Sequence, residues 1–405
     1  MRVAGSTRLP LSGGMSDDQK IATRLVLNFP GFEKTDSEAQ LGRLLYSANG
    51  SGKAWGFVSE RTETVHEGDS HFTAAGFLTR GDGWQTETRV VQFRWNDIVH
   101  GYEFAPFPAG FLRSLGKFLH FFTDGTVKRY LQTSWRYFGF TIYPFLVCFA
   151  FAFLAGGFFH FVLSHAGLAG WILWAVLLPL TLLLTLMFCR WPGEKLYIPM
   201  TIADWGFARD MIERANPEIE ARFAEFGKET AREIEISRHD EIVIVGHSFG
   251  AVWAVEALAR ALRDNPELLA GKQLTFLALG SSIAKIALAP DAQWMRDSVA
   301  VAAGQKNLFW HEIQTKDDFI AFYKAEPFKI LGLNRPADFR LQRIRFSEGI
   351  GKKRYRAIRK SMYRTHRQYI LHYDKRVLFD TMLRLFGPIS ARHLATLSKP
   401  GETGL

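Results

Sequence analysis

EIVIVGHSFGAVWAVEAL, residues 241–258, gives the strongest indication of the fold. Its first part, EIVIV (241–245), is rich in β-branched apolar residues, as is typical of a buried strand. GHSFG (246–250) follows directly, and a helical pattern begins near its end and continues to residue 262. G-x-S-x-G often occurs by chance, but between a strand and a helix it indicates a sharp turn that presents a serine as a nucleophile.

Each residue of this turn has a predicted role. Side chains at Gly246 and Gly250 would collide where the strand and the helix approach each other, so glycine is expected there. Ser248 is the predicted nucleophile. The Phe249 N–H, helped by the helix N-terminus, is a predicted donor to an oxyanion. We expect His247 to point away from Ser248 and to serve as a packing or hydrogen-bonding residue.

A nucleophilic serine needs a base and a group that orients the base. In this arrangement the acid follows the serine along the chain, and the histidine follows the acid. Residues 308–313 are a predicted strand, and Asp317 and Asp318 come soon after it. Asp318 is the preferred acid because it lies at the entry to the apolar turn 319–323. Asp317 is the alternative, and the other interpretation of each is a helix cap or a surface charge.

Three histidines nearer the C-terminus are candidates for the base. His366 lies just before a predicted helical run that reaches residue 385, where a loop would lead into the last helix. His372 would already lie inside that helix, and His393 is close to a predicted tail. The sequence therefore favours His366.

A second oxyanion donor is expected in the loop after the first strand, residues 24–29. Pro30 fixes the turn there, and Gly31 lets a substrate approach the backbone. The Phe32 N–H is the predicted donor. The alternative is an ordinary Pro-Gly turn without a catalytic role.

Strand and helix patterns alternate over most of the remaining chain. Further predicted strands are residues 90–95 and 274–279, with a possible edge hairpin at 73–78. Predicted helices cover residues 37–46 and about 202–230. Strands that alternate with helices predict the α/β class, with a doubly wound and mostly parallel sheet.

Two long apolar runs, residues 138–163 and 167–189, contain no Lys, Arg, Asp or Glu. Each reaches the roughly 20 residues that cross a bilayer core, and only a short link separates them. They predict a two-helix transmembrane hairpin, over residues 126–194, inserted into the α/β domain. Basic residues flank both runs, so the positive-inside rule places the rest of this multi-pass protein on the cytoplasmic side of the inner membrane.

The basic charge is concentrated in one segment. The chain of 405 residues has a formal net charge of +10, and residues 339–367 hold eleven Lys or Arg against one acid. An anionic membrane surface is the predicted partner. The alternatives are nucleic acid, which is not the expected partner, and a solvated basic face. Residues 111–122 have the apolar spacing of an amphipathic helix in a membrane interface.

Cysteine and histidine spacing gives no indication of a metal site. Cys148 and Cys189 are the two cysteines, and both lie in the apolar runs. No metal and no cofactor is expected.

Pro30-Gly31-Phe32, the GHSFG turn, Asp318 and His366 together resemble the α/β-hydrolase superfamily. Within it, the chain is similar to uncharacterised bacterial membrane-associated serine hydrolases. The resemblance implies an α/β-hydrolase domain formed by residues 21–125 and 195–390. Residues 1–20 would be a flexible N-terminal tail, with Met15 as an alternative start, and residues 391–405 a C-terminal tail.

These residues imply a serine hydrolase that cleaves an ester or thioester, through an acyl-enzyme on Ser248. The membrane hairpin suggests a lipophilic acyl substrate. Acyl transfer to another alcohol would use the same residues. A catalytically silent membrane scaffold built on a hydrolase fold and a nucleic-acid-binding membrane protein are alternatives from other classes.

Overall fold

The computed structural model describes residues 20–66, 70–103 and 105–397. The predicted N-terminal tail, apart from Lys20, and the alternative start Met15 lie outside the described residues. The chain divides into two compact units. The first unit contains the described residues of Met1–Asn96, Glu220–Ala284 and Gln293–Leu405, and the second contains those of Asp97–Ile219 and Lys285–Ala292.

An eight-stranded sheet runs through the first unit. Its strands are β1 (Thr23–Phe29), β2 (Phe57–His66), β3 (Phe72–Gly81), β4 (Trp84–Phe93), β5 (Glu241–His247), β6 (Leu274–Leu279), β7 (Leu308–Thr315) and β8 (Asp338–Ile344). Their order across the sheet is β2-β3-β4-β1-β5-β6-β7-β8. Six neighbouring strands, β4-β1-β5-β6-β7-β8, pair in parallel. Strands β2, β3 and β4 form an antiparallel meander. The predicted α/β class with a mostly parallel sheet is confirmed.

The register of the parallel strands brings their carboxyl ends together. Phe29 at the end of β1 pairs with Gly246 of β5, and His247 at the end of β5 pairs with Leu279 of β6. Every residue of β5 and β6 is buried, which explains why these strands are continuous apolar runs rather than alternating ones. The residues that follow these strands therefore meet at one edge of the sheet.

Two strands and one hairpin differ from the predictions. The sequence pattern does not predict β2 or β8, because FVSERTETVH and DFRLQRI are both rich in charged residues. The predicted edge hairpin at 73–78 is wrong. Those residues lie in one long strand, β3, which pairs with β2 on one side and with β4 on the other.

Helices occur in both units. They are α1 (Ser37–Trp55), α2 (Asn96–Glu103), α3 (Ala109–Thr123), α4 (Thr126–Thr133), α5 (Trp135–His165), α6 (Gly170–Arg190), α7 (Pro192–Lys195), α8 (Ile198–Glu213), α9 (Pro217–Ile236), α10 (Gly250–Asp264), α11 (Ile283–Ala287), α12 (Gln293–Ala303), α13 (Pro327–Leu331), α14 (Phe346–Gly349), α15 (Lys352–Ile358), α16 (Met362–Arg367), α17 (Thr381–Phe386) and α18 (Ala391–Leu397). A short 3-10 helix, Gln368–Ile370, follows α16.

Helix α1 continues well beyond its predicted end at residue 46, through a stretch rich in Gly and Ser. A side chain at Gly50 would collide with the ring of His372, and one at Gly52 would collide with the backbone of Phe57. These glycines therefore allow close packing within the helix, instead of ending it as glycine usually does.

Two further helix predictions are wrong. The predicted helix over 202–230 is two helices, α8 and α9, because Pro217 disfavours a helical conformation at the residue before it. The predicted C-terminal tail, 391–405, begins with α18, which buries Ala391, Leu394 and Ala395. Residues 398–405 lie outside the described part of the chain.

The second unit is helical and packs around Trp205, whose side chain is fully buried. The Phe118 ring stacks on the indole with ring centroids 4.6 Å apart, and the Tyr130 ring lies 5.9 Å away. Residues 97–125 and 195–219 therefore belong to the same unit as the apolar helices. The sequence predicts these residues as part of the α/β domain, and it gives no signal of the shared aromatic core.

Helices α5 and α6 are both long and apolar enough to cross a membrane, by length and composition. Only 6% of the most apolar window of α5 and 17% of that of α6 are buried, unlike the core helices of soluble proteins. α5 begins before its predicted start at residue 138, and its first turns bury Tyr137, Phe140 and Pro144 in the second unit. Farther along, Phe149 and Phe153 are more than 70% exposed.

The predicted amphipathic segment, residues 111–122, lies within α3. Phe118 and Phe121 are fully buried, whereas Leu112 and Leu119 are each 48% exposed. The helix therefore has one face in the aromatic core of the second unit and another that is partly apolar and exposed.

Candidate functional site

Ser248 lies in a sharp turn between β5 and α10. Its φ of 57° is in the left-handed region, which a residue other than glycine adopts only when the surrounding structure imposes it. Two backbone hydrogen bonds fix the turn. The Ser248 N–H donates to the Leu279 carbonyl at 3.0 Å, and the Ser282 N–H donates to the Ser248 carbonyl at 3.1 Å. The strained serine is thus held between the ends of β5 and β6.

Close packing at the turn explains its two glycines. A Cβ on Gly250 would lie 2.7 Å from the Pro30 carbonyl oxygen and would overlap the Phe29 carbonyl. A Cβ on Gly246 would lie 2.6 Å from the Ala251 nitrogen. Both distances are well below van der Waals contact, so the turn has no room for a side chain at either position.

His366 and Asp318 form a buried pair. The His366 Nδ1–H donates to Asp318 Oδ2 at 2.7 Å, and the Asp318 side chain is fully buried. The other carboxylate oxygen, Oδ1, accepts the Ile320 N–H at 2.8 Å. His366 Nε2 is buried and has no hydrogen-bond partner among the described residues. Because Nδ1 carries the proton, the Nε2 lone pair can accept a proton or a hydrogen bond.

Asp317, the alternative acid, has different partners. Its Oδ1 accepts the Tyr355 hydroxyl at 2.7 Å, and its Oδ2 accepts the Phe346 N–H at 3.1 Å. Asp317 therefore ties the end of β7 to the helices that follow β8. Of the two neighbouring aspartates, Asp318 is the one that contacts His366.

The other two candidate histidines lie elsewhere in the first unit. The His372 ring packs against Tyr46 with ring centroids 5.4 Å apart, and its Nε2 is 3.7 Å from Asp374. His393 lies in α18, where its N–H donates to the Ser390 hydroxyl.

The backbone around His366 differs from the prediction. His366 lies inside the short helix α16 and not in a loop before a long helix. The predicted helical run to residue 385 is wrong, because the chain is extended at Leu371 and a new helix, α17, begins only after its cap Asp380. The Asp380 carboxylate accepts the Met382 N–H at 2.9 Å, which fixes the start of that helix.

His247 packs directly against His366. Their ring centroids are 4.6 Å apart, and the His247 Nε2–H donates to the His366 carbonyl at 3.0 Å. Burial, more than the proximity of His366, holds the pKa of His247 well below its usual range, so its ring is neutral. His247 therefore links the turn that carries Ser248 to the backbone that carries His366.

The Pro-Gly-Phe turn after β1 lies against the serine. A Cβ on Gly31 would lie 3.1 Å from the Ser248 Cβ and 3.0 Å from His247 Nδ1. The Trp95 indole N–H fixes the turn by donating to the Pro30 carbonyl at 3.0 Å. The rings of Phe32 and Phe249, the two predicted oxyanion donors, are 6.2 Å apart. Both predicted donor residues are therefore next to each other, beside Ser248.

Ser282 is a neighbour of the site that the sequence analysis misses. The Ser248 and Ser282 hydroxyl oxygens are 3.4 Å apart. The signal was the sequence Gly280-Ser281-Ser282 directly after the predicted strand 274–279, since the carboxyl ends of adjacent parallel strands meet.

Within residues 20–66, 70–103 and 105–397, no group of three His, Cys, Asp or Glu side chains is arranged to hold a metal ion. Comparisons of the chain with protein-family models, with curated proteins and with solved protein structures gave no match. The chemistry of the site is therefore inferred from its own residues.

Proposed function

We propose that this chain is a serine hydrolase of the α/β-hydrolase type that cleaves an ester or thioester of a lipophilic acyl substrate. The observation that carries the proposal is the buried His366–Asp318 pair, whose Nε2 has no partner among the described residues and which His247 joins to the strained turn of Ser248. Strained backbone and an unsatisfied buried nitrogen are both costly, and such features concentrate at functional sites.

The proposed reaction uses three side chains and two backbone N–H groups. Ser248 Oγ attacks the acyl carbonyl carbon, and its proton moves to His366 Nε2. Asp318 keeps Nδ1–H oriented and stabilises the imidazolium that forms. The oxygen of the tetrahedral intermediate accepts hydrogen bonds from the Phe32 and Phe249 N–H groups.

The intermediate then collapses, and the imidazolium gives its proton to the leaving alcohol or thiol. Water, deprotonated by His366, attacks the acyl-enzyme, which releases the acid and restores the Ser248 hydroxyl. An acceptor alcohol in place of water would give acyl transfer by the same steps.

Three features support the α/β-hydrolase type. The serine lies in a turn between a parallel strand and a helix, as in a nucleophile elbow. The chain order is serine, acid, histidine. The residues of the proposed site follow β1, β5, β6 and β7, whose carboxyl ends share one edge of the sheet.

Attachment to a membrane is part of the proposal. Helices α5 and α6 have the length and composition of membrane spans, and their large apolar side chains are exposed. Basic residues flank both helices. Before or at the start of α5 they are Lys128, Arg129 and Arg136, and at or after the end of α6 they are Arg190 and Lys195. By the positive-inside rule these flanks, and with them the proposed catalytic domain, would be cytoplasmic.

Hydrolysis of p-nitrophenyl butyrate by the detergent-solubilised full chain tests the proposal. Ser248→Ala should lower kcat by about three orders of magnitude or more, because the nucleophile is lost. Ser347→Ala, at an exposed serine of the same unit, is the matched control and should retain full activity. Equal activity of the two variants would overturn the assignment of the nucleophile.

A further inference from the structure

A surface of exposed cations adjoins the proposed base. Between residues 356 and 367 the chain carries no Asp or Glu. Its exposed cations there are Arg356, Arg359, Lys360, Arg364 and Arg367. Among the described residues, none of these five forms an ion pair, whereas nearby Arg354 pairs with Asp374 at 2.8 Å. This surface, residues 356–367, therefore has uncompensated positive charge.

Helix α16 carries two of these cations within two residues of His366 along the chain. Thr365 and His366 are buried, whereas Arg364 and Arg367 are exposed and three residues apart, which puts them on one face of the helix. Arg367 is close enough to the turn that carries Ser248 for its positive charge to contribute, after burial, His366 and Arg43, to lowering the pKa of His247.

We infer that the substrate carries an anionic group, a phosphate or a carboxylate, and that Arg364 and Arg367 bind this group beside the His366–Asp318 pair. The inference rests on the proposed hydrolase function and adds a substrate class to it. A guanidinium presents a planar fork of N–H donors that fits phosphate and carboxylate oxygens. Two such groups on one helix face, without a carboxylate partner of their own, can bind an anion without first breaking an ion pair.

The anionic group could belong to either of two kinds of substrate. One is an anionic membrane lipid, whose headgroup phosphate would lie on α16 while its acyl ester reaches Ser248. The other is a soluble acyl ester that bears a phosphate or carboxylate. In both, the anion raises the local substrate concentration at the site and orients the ester.

A matched pair of soluble esters tests the inference first. p-Nitrophenyl butyrate and the p-nitrophenyl monoester of glutaric acid have similar chains, but only the second carries a carboxylate. We expect the ratio of kcat/KM for the anionic ester to that for the neutral ester to exceed one. The double variant Arg364→Gln/Arg367→Gln should lower this ratio by roughly tenfold, since each exposed charge pair contributes modestly.

Lys306→Gln is the control for charge removal. Lys306 is exposed and precedes β7, at the opposite edge of the sheet from Ser248, so this variant should leave the ratio unchanged. The ratio for the unmodified chain should also fall as salt rises, because the screening length shrinks from about 10 Å at about 0.1 M to about 3 Å at about 1 M.

Vesicles distinguish the two sources. The full-length protein is given vesicles of phosphatidylglycerol or of phosphatidylcholine with the same acyl groups, and the release of fatty acid is measured. A preference for phosphatidylglycerol that the double variant loses assigns the anion to a lipid headgroup. A preference confined to the soluble ester assigns it to a soluble substrate.

Two results would overturn the inference. One is equal selectivity for neutral and anionic substrates in both arms; the other is an anionic preference that survives Arg364→Gln/Arg367→Gln. If the unmodified chain hydrolyses none of the four substrates, the proposed hydrolase function fails instead, so the two failures are distinguishable.

Discussion

Each unit of the molecule contains a buried pair of one acid and one base, and the two pairs differ in what surrounds the base. In the first unit, His366 contacts Asp318, and its Nε2 has no partner in the part of the chain that the structure describes. In the second unit, the Lys285 ammonium pairs with Asp204 and also lies 4.0 Å from the Trp205 ring centroid. The lysine is enclosed by its partners, whereas the histidine offers an acceptor. Burial of an ion pair is thus compatible with a structural role, and what points to chemistry is a buried acceptor nitrogen in a pair that His247 joins to the strained turn of Ser248.

Removing the acid of the first pair should have the largest effect. Asp318→Asn is expected to lower kcat by about 10³–10⁴-fold, because the amide no longer stabilises the imidazolium or fixes the Nδ1–H tautomer. Asp317→Asn is the matched control, since Asp317 contacts Tyr355 and Phe346 instead of His366. It should change kcat less than about tenfold. The measurement is ester hydrolysis, with circular dichroism to confirm folding. Comparable losses in both variants would remove the distinction between the two aspartates.

Removing the base of the second pair should affect stability. Lys285→Met should lower the free energy of unfolding by about 3–5 kcal/mol, since it leaves the Asp204 carboxylate buried without that ammonium. The double variant Lys285→Met/Asp204→Asn should recover part of the loss, because the carboxylate charge is gone as well. Thermal unfolding of the three proteins measures both. A double variant less stable than the single one would contradict a structural role for this pair.

A third buried acid has no described cation partner, and it makes stability depend on pH. Burial raises the pKa of Glu312 from 4.5 to about 8, so this carboxyl is protonated in the folded chain at neutral pH. The folded state then binds one more proton than the unfolded state between about pH 4.5 and pH 8. The free energy of unfolding should therefore fall by a few kcal/mol as the pH rises through this range. In Glu312→Gln that decline should be absent, as measured by denaturant unfolding at several pH values. The same decline in both proteins would assign it to another group.

The contact between His247 and His366 should have a smaller effect on activity. His247→Phe keeps a ring against His366 but removes the hydrogen bond to the His366 carbonyl. We expect kcat to fall about tenfold with little change in KM, as for an interaction that positions the base in the transition state. His247→Gln places an N–H donor near the position of Nε2 and should restore part of the activity. If His247→Phe fails to fold and His247→Gln folds with an unchanged kcat, His247 is a packing residue and does not position the base.

The two regions also differ in how far the sequence predicted them. The turn and its strands were predictable because β5 and β6 are mostly apolar, and because GHSFG has a fixed place after a strand. His366 and Asp318 could be selected by chain order and by the position of a predicted strand. Ser282 was not selected, since its position after a predicted strand points to the site only once that strand is known to pair with β5.

What the sequence left open depended on tertiary contacts. β2 and β8 are charged strands stabilised by their neighbours in the sheet, so their own composition gave no strand signal. The grouping of α3 and α8 with the apolar helices depends on packing around Trp205. The link from His247 to the His366 carbonyl joins residues 119 positions apart, a separation that local patterns cannot detect.

Fluorophosphonate labelling of the detergent-solubilised chain, followed by peptide mapping, shows directly whether Ser248 is an activated nucleophile. The reagent phosphonylates a serine only where a neighbouring base activates it. We expect one adduct, on the peptide that contains Ser248, with no labelling in Ser248→Ala and strongly reduced labelling in Asp318→Asn. Labelling of Ser248→Ala at the level of the unmodified chain, or an adduct on a different serine, would contradict the assignment of Ser248, His366 and Asp318 as a catalytic triad.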